Sequence, residues 1–311
     1  MIQSLKCITR REFIAGVGSL SVAAQLKNRA ASAAPSSNLT KPIPTTGENI
    51  PVVGMGTWIT FNVGSNKVLR DSRVEVLQEF FDRGGGVIDS SPMYGSSEEV
   101  IGYGLARTEK TQSLFSATKV WTVSKWLGTR QMKSSERLWG VDRFDLLQIH
   151  NLLDWQAHLE TLRAWKAEGR VRYIGITTSH GRRHAEFERV MRDHPFDTVQ
   201  FTYNILDREV EKRLLPAARD LGKAVIVNRP FRRGALFNRF ARHPLPEWAN
   251  EFDCLNWAQF FLKFALSHPA VTCAIPATSR VDHMRENMGA ALGRLPNAEM
   301  RRRMVQYVEN L

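Results

Sequence analysis

From Pro51 onward the chain alternates between two textures. Short apolar runs end in small or polar residues: PVVGMGTW at 51–58, GGVIDSS at 85–91, SLFSATKV at 113–120, FDLLQIHN at 144–151, VRYIGITT at 171–178, FDTVQFTYN at 196–204, KAVIVNRP at 223–230 and VTCAIPAT at 271–278. Between them, apolar residues recur three and four positions apart, as in Val74, Leu77, Phe80 and Phe81, then Leu159, Leu162 and Trp165, then Phe187, Val190 and Met191. The first texture predicts buried strands, the second amphipathic helices. Eight such runs alternating with helical stretches predict an α/β protein whose single parallel sheet closes into a (β/α)8 barrel, the TIM-barrel architecture. A doubly wound open sheet would carry G-x-G-x-x-G at its first strand-to-helix turn. Gly54-Met55-Gly56-Thr57-Trp58 does not match, and Gly84-Gly85-Gly86 precedes a strand instead of following one. Before the barrel, residues 43–53 hold a Thr-Thr-Gly-Glu-Asn turn between extended pieces, which predicts a hairpin across the barrel bottom. After it, residues 296–311 predict an extra C-terminal helix.

The strand ends carry the chemistry. The second run, Val87-Ile88, leads into Asp89, a Ser-Ser-Pro turn and Tyr94; the third ends with Lys119 and the fourth with His150. In a parallel barrel these ends share one face, so the four side chains are expected to converge. A phenol has an ordinary pKa of about 10, and a positive neighbour lowers it toward the range of a usable proton donor. Lys119, held charged by Asp89, is the expected neighbour. Asp145 lies at the entry of its strand, on the opposite end from Asp89, so the two do not form the carboxylate pair that a hydrolase would need.

The order Asp89, Tyr94, Lys119, His150, in the contexts VIDSSPMYG, ATKV and DLLQIHN, resembles the aldo-keto reductase family, over essentially the whole chain beyond its N-terminal segment. The resemblance implies hydride transfer from reduced nicotinamide to an aldehyde or ketone, with Tyr94 as general acid, Lys119 and Asp89 supporting it, and His150 orienting the carbonyl. It also implies a cofactor site. Gln200 stands at the family's carboxamide-binding glutamine; Thr177 and Thr178 replace its Ser-Asn pair, and Asn228 stands where a ring-stacking Tyr is usual. Thr278 and Arg280 would face the adenosine phosphate, with Glu286 and Asn287 near the adenine. Arg280, with Arg232 or Arg233, favours NADP(H) over NAD(H), although His283 replaces an arginine of some relatives. A cofactor-binding sensor or partner-regulating module with little turnover is the alternative, for which the Asn228 departure leaves room. Specificity is expected from the loops at 58–63, 152–155 and 231–246, with Trp58, Trp121 and Trp155 as candidate pocket walls and the last loop as a cover.

Charge and the N-terminus change the setting. The 311 residues carry a formal net charge of +12, which raises nucleic acid as a partner. The basic runs Arg182-Arg183, Arg232-Arg233 and Arg301-Arg302-Arg303 have no interleaved aromatics or recognition pattern, so no nucleic-acid partner is expected. Residues 9–14 read Thr-Arg-Arg-Glu-Phe-Ile, followed by a weakly apolar AGVGSLSVAA and Ala31-Ser32-Ala33, which resembles a twin-arginine export signal. Residues 1–34 are expected to be the signal, 35–42 a flexible leader and 43–311 the barrel. The resemblance implies passage through the twin-arginine translocation machinery to the periplasm, with a membrane tether if the signal stays uncleaved. A monomer is expected. Cys254 sits in an amphipathic helical pattern and Cys273 in an apolar run, which predicts buried free thiols, and no metal-binding spacing occurs.

Overall fold

The computed structural model describes residues 38–311, so the expected export signal and the start of the expected leader lie outside the described residues. The first two strands, β1 (Thr40–Pro42) and β2 (Asn49–Pro51), pair antiparallel with Thr40 opposite Pro51. The sequence pattern places Thr40–Pro42 at the end of the leader. Their polar sequence has no apolar alternation, but Lys41 Nζ donates to the carbonyls of Leu266 and Val271 at 2.7 and 2.6 Å, and Ile43 and Ile50 are buried. The hairpin therefore starts earlier than predicted and is tied to the barrel floor.

The barrel strands are β3 (Met55–Gly56), β4 (Val87–Asp89), β5 (Phe115–Val120), β6 (Phe144–Ile149), β7 (Val171–Thr177), β8 (Thr198–Thr202), β9 (Ala224–Asn228) and β10 (Val271–Ala274). They pair in parallel in chain order, and bridges from Val53 to Ala274 and from Gly56 to Ala277 complete the ring. At this seam Gly54 N–H donates to Ala274 O at 2.8 Å and Gly56 N–H to Pro276 O at 2.9 Å. A Cβ at Gly54 would come within 2.8 Å of Val87 O, and one at Gly56 within 2.8 Å of Ile275 O. These glycines serve strand closure, not a phosphate turn.

Outside the ring run α1 (Lys67–Asp82), α2 (Ser97–Leu105), α3 (Lys125–Trp139), α4 (Trp155–Ala167), α5 (His184–Asp193), α6 (Leu214–Asp220), α7 (Ala235–Phe240), α8 (Trp257–Leu266), α9 (Val281–Gly289) and the C-terminal α10 (Ala298–Glu309). Their apolar stripes, for example Val76, Leu77, Phe80 and Phe81 of α1, pack on the outward faces of the strands. The inward-facing residues form a separate lower layer of Ile43, Ile50, Val87, Phe115, Leu146, Tyr173, Ile226 and Cys273. Above that plug the interior turns polar. Cys254 and Cys273 are both buried free thiols.

Candidate active site

Strand register brings the polar layer together: Lys119 lies beside Gln148 across β5 and β6, and Thr177 beside Gln200 across β7 and β8. Lys119 is wholly buried, and its Nζ donates to Asp89 Oδ2 at 2.5 Å and Ser90 O at 2.8 Å. The other carboxylate oxygen, Asp89 Oδ1, accepts from Gln148 Nε2 at 2.9 Å and Gln200 Nε2 at 3.0 Å. Desolvating an ion pair costs several kcal/mol per charge unless further hydrogen bonds satisfy it; both amides do so here. Burial draws Lys119 toward neutrality, but the opposing charges of Asp89 and of an ionised Tyr94 raise its pKa overall.

Tyr94 stands on the turn after β4, with its N–H bonded to Ser91 O at 2.9 Å. Gly95 follows at φ 62°, where a Cβ would meet the Asn62 side chain, so the Tyr-Gly pair turns in a way other residues resist. Lys119 Nζ lies 5.2 Å from the Tyr94 ring centroid, and the His150 ring meets Tyr94 edge-on with centroids 5.7 Å apart. The lowered phenol pKa expected from Lys119 is not found. Burial raises it above 10.0, and Lys119 only opposes that rise. Tyr94 is therefore fully protonated at neutral pH.

His150 directly follows β6 and begins a short 3-10 turn in which Asn151 and Leu152 both take left-handed backbone, φ 53° and 55°. Such strain recurs where a site over-determines its backbone. His150 Nδ1 lies 2.9 Å from Ser91 Oγ. Burial, then Lys119, hold the imidazole pKa well below 6.5, so the ring is neutral. The four strand-end groups thus meet as predicted, and Asp145 lies at the opposite end, bonded to Ser116 and Arg172.

Asp89, Tyr94 and His150 line a cavity of about 1090 Å³ at the C-terminal mouth, together with Thr177, Thr178, Gln200, Asn228, Thr278, Arg280, Glu286 and Asn287. Thr177 Oγ1 accepts the Asn151 N–H at 3.0 Å, and Thr178 Oγ1 donates to Arg182 O at 2.7 Å. Asn228 is fully engaged, accepting from Thr202 Oγ1 at 2.7 Å and donating to Thr178 O at 2.9 Å and Gln200 Oε1 at 3.4 Å. Arg280 reaches the cavity but pairs with Asp282 at 2.5 Å. Arg232 is the exception. It ion-pairs with Asp207 at 3.2 Å and lines a neighbouring cleft, whereas Arg233 lines the main cavity. Arg229, Arg232 and Arg233 all have left-handed backbone, φ 53°, 53° and 60°, and in so tight a turn consecutive side chains diverge.

Of the three candidate walls only Trp58 reaches the cavity, covered by the Arg233 guanidinium 4.4 Å above its ring. Trp121 is exposed on the rim, and Trp155 starts α4 and packs against His194. The loop at 231–246 contains α7 and contributes Phe231, Gly234, Phe237 and Ala241 to the lining. Sequence reasoning missed Arg229 and the Gln148 brace. Gln148 was signalled by its same-face spacing two residues before His150, and Arg229 by its place directly after Asn228 at a strand end. Arg182, Arg229 and Arg233 line the cavity with no ion-pair partner among the described residues, while their neighbours Arg183 and Arg232 are paired. Among the described residues Arg229 Nε is buried without any hydrogen-bond partner, and burial followed by Arg233 lowers its pKa.

Comparison with known proteins gives this mouth a context. The chain is 30% identical over 271 residues to aldo-keto reductase str7 of Strobilurus tenacellus, covering 74% of this chain and 79% of that one. It is 27% identical over 243 residues to the NADH-specific methylglyoxal reductase of Escherichia coli, covering 66% and 71%. Its fold matches that of an aldo/keto reductase from Klebsiella pneumoniae, solved in complex with NADP and acetate, with a TM-score of 0.70 at 23% identity over 84% of this chain and 93% of that one. The model of the Aldo/keto reductase family matches residues 52–304, nearly the whole barrel, and the chain belongs to that family of oxidoreductases.

Proposed function

We propose that the protein is an NADP(H)-dependent oxidoreductase that reduces an aldehyde or ketone. The observation that carries this reading is the convergence, at one cavity, of a protonated Tyr94, a neutral His150 and the buried Asp89–Lys119 pair. Tyr94 gives its proton to the carbonyl oxygen as general acid. Lys119, kept charged by Asp89, stabilises the phenolate left behind, and the His150 N–H facing the cavity orients the carbonyl and donates to its growing negative charge. When bound, reduced nicotinamide supplies the hydride.

The lining suits such a cofactor. Among the described residues Arg229 Nε is a buried donor without a partner, and Arg182 and Arg233 add positive charge in no ion pair, which an anionic diphosphate would satisfy. Gln200 Oε1 and the Thr177 and Thr178 hydroxyls would meet the nicotinamide amide, and Thr278, Arg280, Glu286 and Asn287 the adenosine end. The competing Asp282 weakens Arg280 as a reader of a 2′-phosphate, and one relative is NADH-specific by name. NADP(H) is favoured by the surplus of arginine. Export by the twin-arginine route, which carries folded proteins, would let the enzyme reach the periplasm with its cofactor already bound.

The deciding experiment is fluorescence titration of the mature protein with NADPH and NADH, followed by a panel of small carbonyl substrates. Tight NADPH binding with turnover that Tyr94→Phe lowers roughly a hundredfold or more is expected; failure to bind either dinucleotide would end this reading. The engagement of Asn228 in three hydrogen bonds, where an aromatic would stack on the ring, favours one second reading, a dinucleotide sensor. Binding with negligible turnover across the panel would support it. Native mass spectrometry of periplasmic extract tests the export hypothesis, against which a wholly cofactor-free population would count.

A further inference from the structure

Ser91 belongs to none of the roles above and does not line the cavity, yet it is wholly buried and lies 2.9 Å from His150 Nδ1. Its surroundings determine where its hydroxyl proton goes. Pro92 comes next, so the first N–H beyond Ser91 is that of Met93, and it donates to Ser91 Oγ at 3.3 Å. This is the local serine turn in which a hydroxyl accepts from the backbone two residues on. With that acceptor role filled by Met93, the hydroxyl still has one proton to donate. Among the described residues His150 Nδ1 is the only acceptor within its reach, and burial excludes bulk water. A buried hydroxyl left without an acceptor costs about 1–3 kcal/mol.

We infer that Ser91 is a positioning residue that fixes the tautomer of His150: Ser91 Oγ–H donates to Nδ1, and the imidazole proton is thereby held on Nε2. The opposite tautomer would aim two protons at each other across the same 2.9 Å, or strand the serine proton. Among the described residues Nε2 has no protein partner and is not buried, and His150 lines the cavity, so its N–H faces the space where a carbonyl oxygen would sit. Without this lock a neutral imidazole divides between two tautomers, one of which points a lone pair at the substrate oxygen and repels it. The kinetic consequence rests on the reductase reading proposed above; the tautomer itself does not.

The two parts are tested separately. In protein labelled with nitrogen-15 histidine, long-range proton–nitrogen correlation at neutral pH reports which ring nitrogen is protonated, and His150→Gln identifies the signal among the eight histidines. The expected result is His150 protonated on Nε2 in the unmodified protein, a mixed or reversed pattern in Ser91→Ala, and the original pattern in Ser91→Thr, which keeps the hydroxyl. Carbonyl turnover by Ser91→Ala should fall roughly tenfold in kcat, a fraction of what losing a whole donor costs, with NADPH affinity unchanged and Ser91→Thr restoring the rate. A His150 protonated on Nδ1 in the unmodified protein, or a Ser91→Ala spectrum identical to it, overturns the proposal. If no carbonyl is turned over, the reductase reading fails while the spectrum still decides the tautomer. If Ser91→Ala does not fold, the unmodified protein alone decides it.

Discussion

The two ends of the barrel are built from the same strands and use charge in opposite ways. At the floor the interior is apolar, from Ile43 and Ile50 to Leu146 and Tyr173, and the charges form a rim that satisfies itself. Lys41 is held by backbone carbonyls, and Arg172 joins Asp145 and Glu48. At the mouth an ion pair sits almost wholly buried inside the barrel, and three arginines line the cavity without a carboxylate partner among the described residues. Side-chain alternation along a strand does not distinguish these ends. What differs is whether the charged groups that no internal ion pair holds find partners among the described residues. The floor is closed and contributes stability; the mouth is left open toward a ligand, as barrel enzymes generally arrange.

The largest effect should come from the one place where both uses meet. Lys119→Met leaves Asp89 buried and uncompensated, which should cost about 3–5 kcal/mol in stability and abolish turnover, read by urea denaturation and by carbonyl reduction. A variant of unchanged stability would mean that the pair belongs to the mouth alone. Tyr94→Phe should separate the two terms. If Tyr94 has the proposed general-acid role, its removal should lower kcat roughly 10²- to 10⁴-fold, while its hydroxyl meets Lys119, which Asp89 and Ser90 already hold, so the denaturation midpoint and the NADPH dissociation constant should change little. Because burial raises the Tyr94 pKa above 10.0 and holds that of His150 well below 6.5, neither group changes protonation near neutrality. Reduction should accordingly stay level across the neutral range and fall only in strong alkali, when Tyr94 loses its proton; a rate that titrates near the ordinary histidine pKa would show that His150 ionises in the working enzyme.

Arg229→Ala probes the open charge without touching the reacting groups. A hydrogen bond to a charged partner is worth about 1.5–3 kcal/mol, so dinucleotide affinity should fall roughly 10- to 100-fold with kcat retained. Stability should not fall, because burial and repulsion from Arg233 outweigh the attraction of Asp207 at Arg229, and among the described residues it forms no ion pair. Isothermal titration beside denaturation distinguishes this from a structural role, for which both would drop.

The same contrast explains what could be read from the chain beforehand. Asp89, Lys119 and His150 were legible because each ends an apolar run, and strand parity alone sends them to one face. Tyr94 was legible by its distance beyond Asp89. The divergence of Arg232 from Arg233 was not, since it depends on left-handed backbone at non-glycine residues that composition does not announce. Trp58, Trp121 and Trp155 look alike as loop tryptophans, and only tertiary packing selects the first. The direction of the Tyr94 shift was misjudged because sequence supplied the neighbour, Lys119, but not the degree of burial, which proved the larger influence. The start of the hairpin at Thr40 escaped because it is held by Lys41 and backbone pairing across distant segments, not by an apolar pattern.

The last predicted effect belongs to the floor, is silent at neutral pH, and concerns acid stability. His268, in the turn between α8 and β10, accepts the Ala270 N–H on Nδ1 at 3.2 Å, which requires a deprotonated nitrogen there. Burial foremost, then the positive charge of Arg301, lower its pKa from 6.5 to about 4. Between those two values the unfolded chain binds a proton at this histidine that the folded chain does not, so its contribution to stability falls as pH is lowered through the window from 6.5 to about 4. His268→Asn keeps a side-chain acceptor for Ala270 and removes the titration. The variant should lose less stability than the unmodified protein on acidification through that window, with the two curves parallel above it, measured as urea midpoints. Dinucleotide affinity should not change with the substitution, because the residue lies at the closed end. His150 also carries a lowered pKa and titrates in both proteins, so comparing the two curves cancels it. A His268→Asn curve that runs parallel to the parent throughout the window would mean that the floor histidine is not held neutral, and that this end of the barrel is less completely closed than its hydrogen bonds describe.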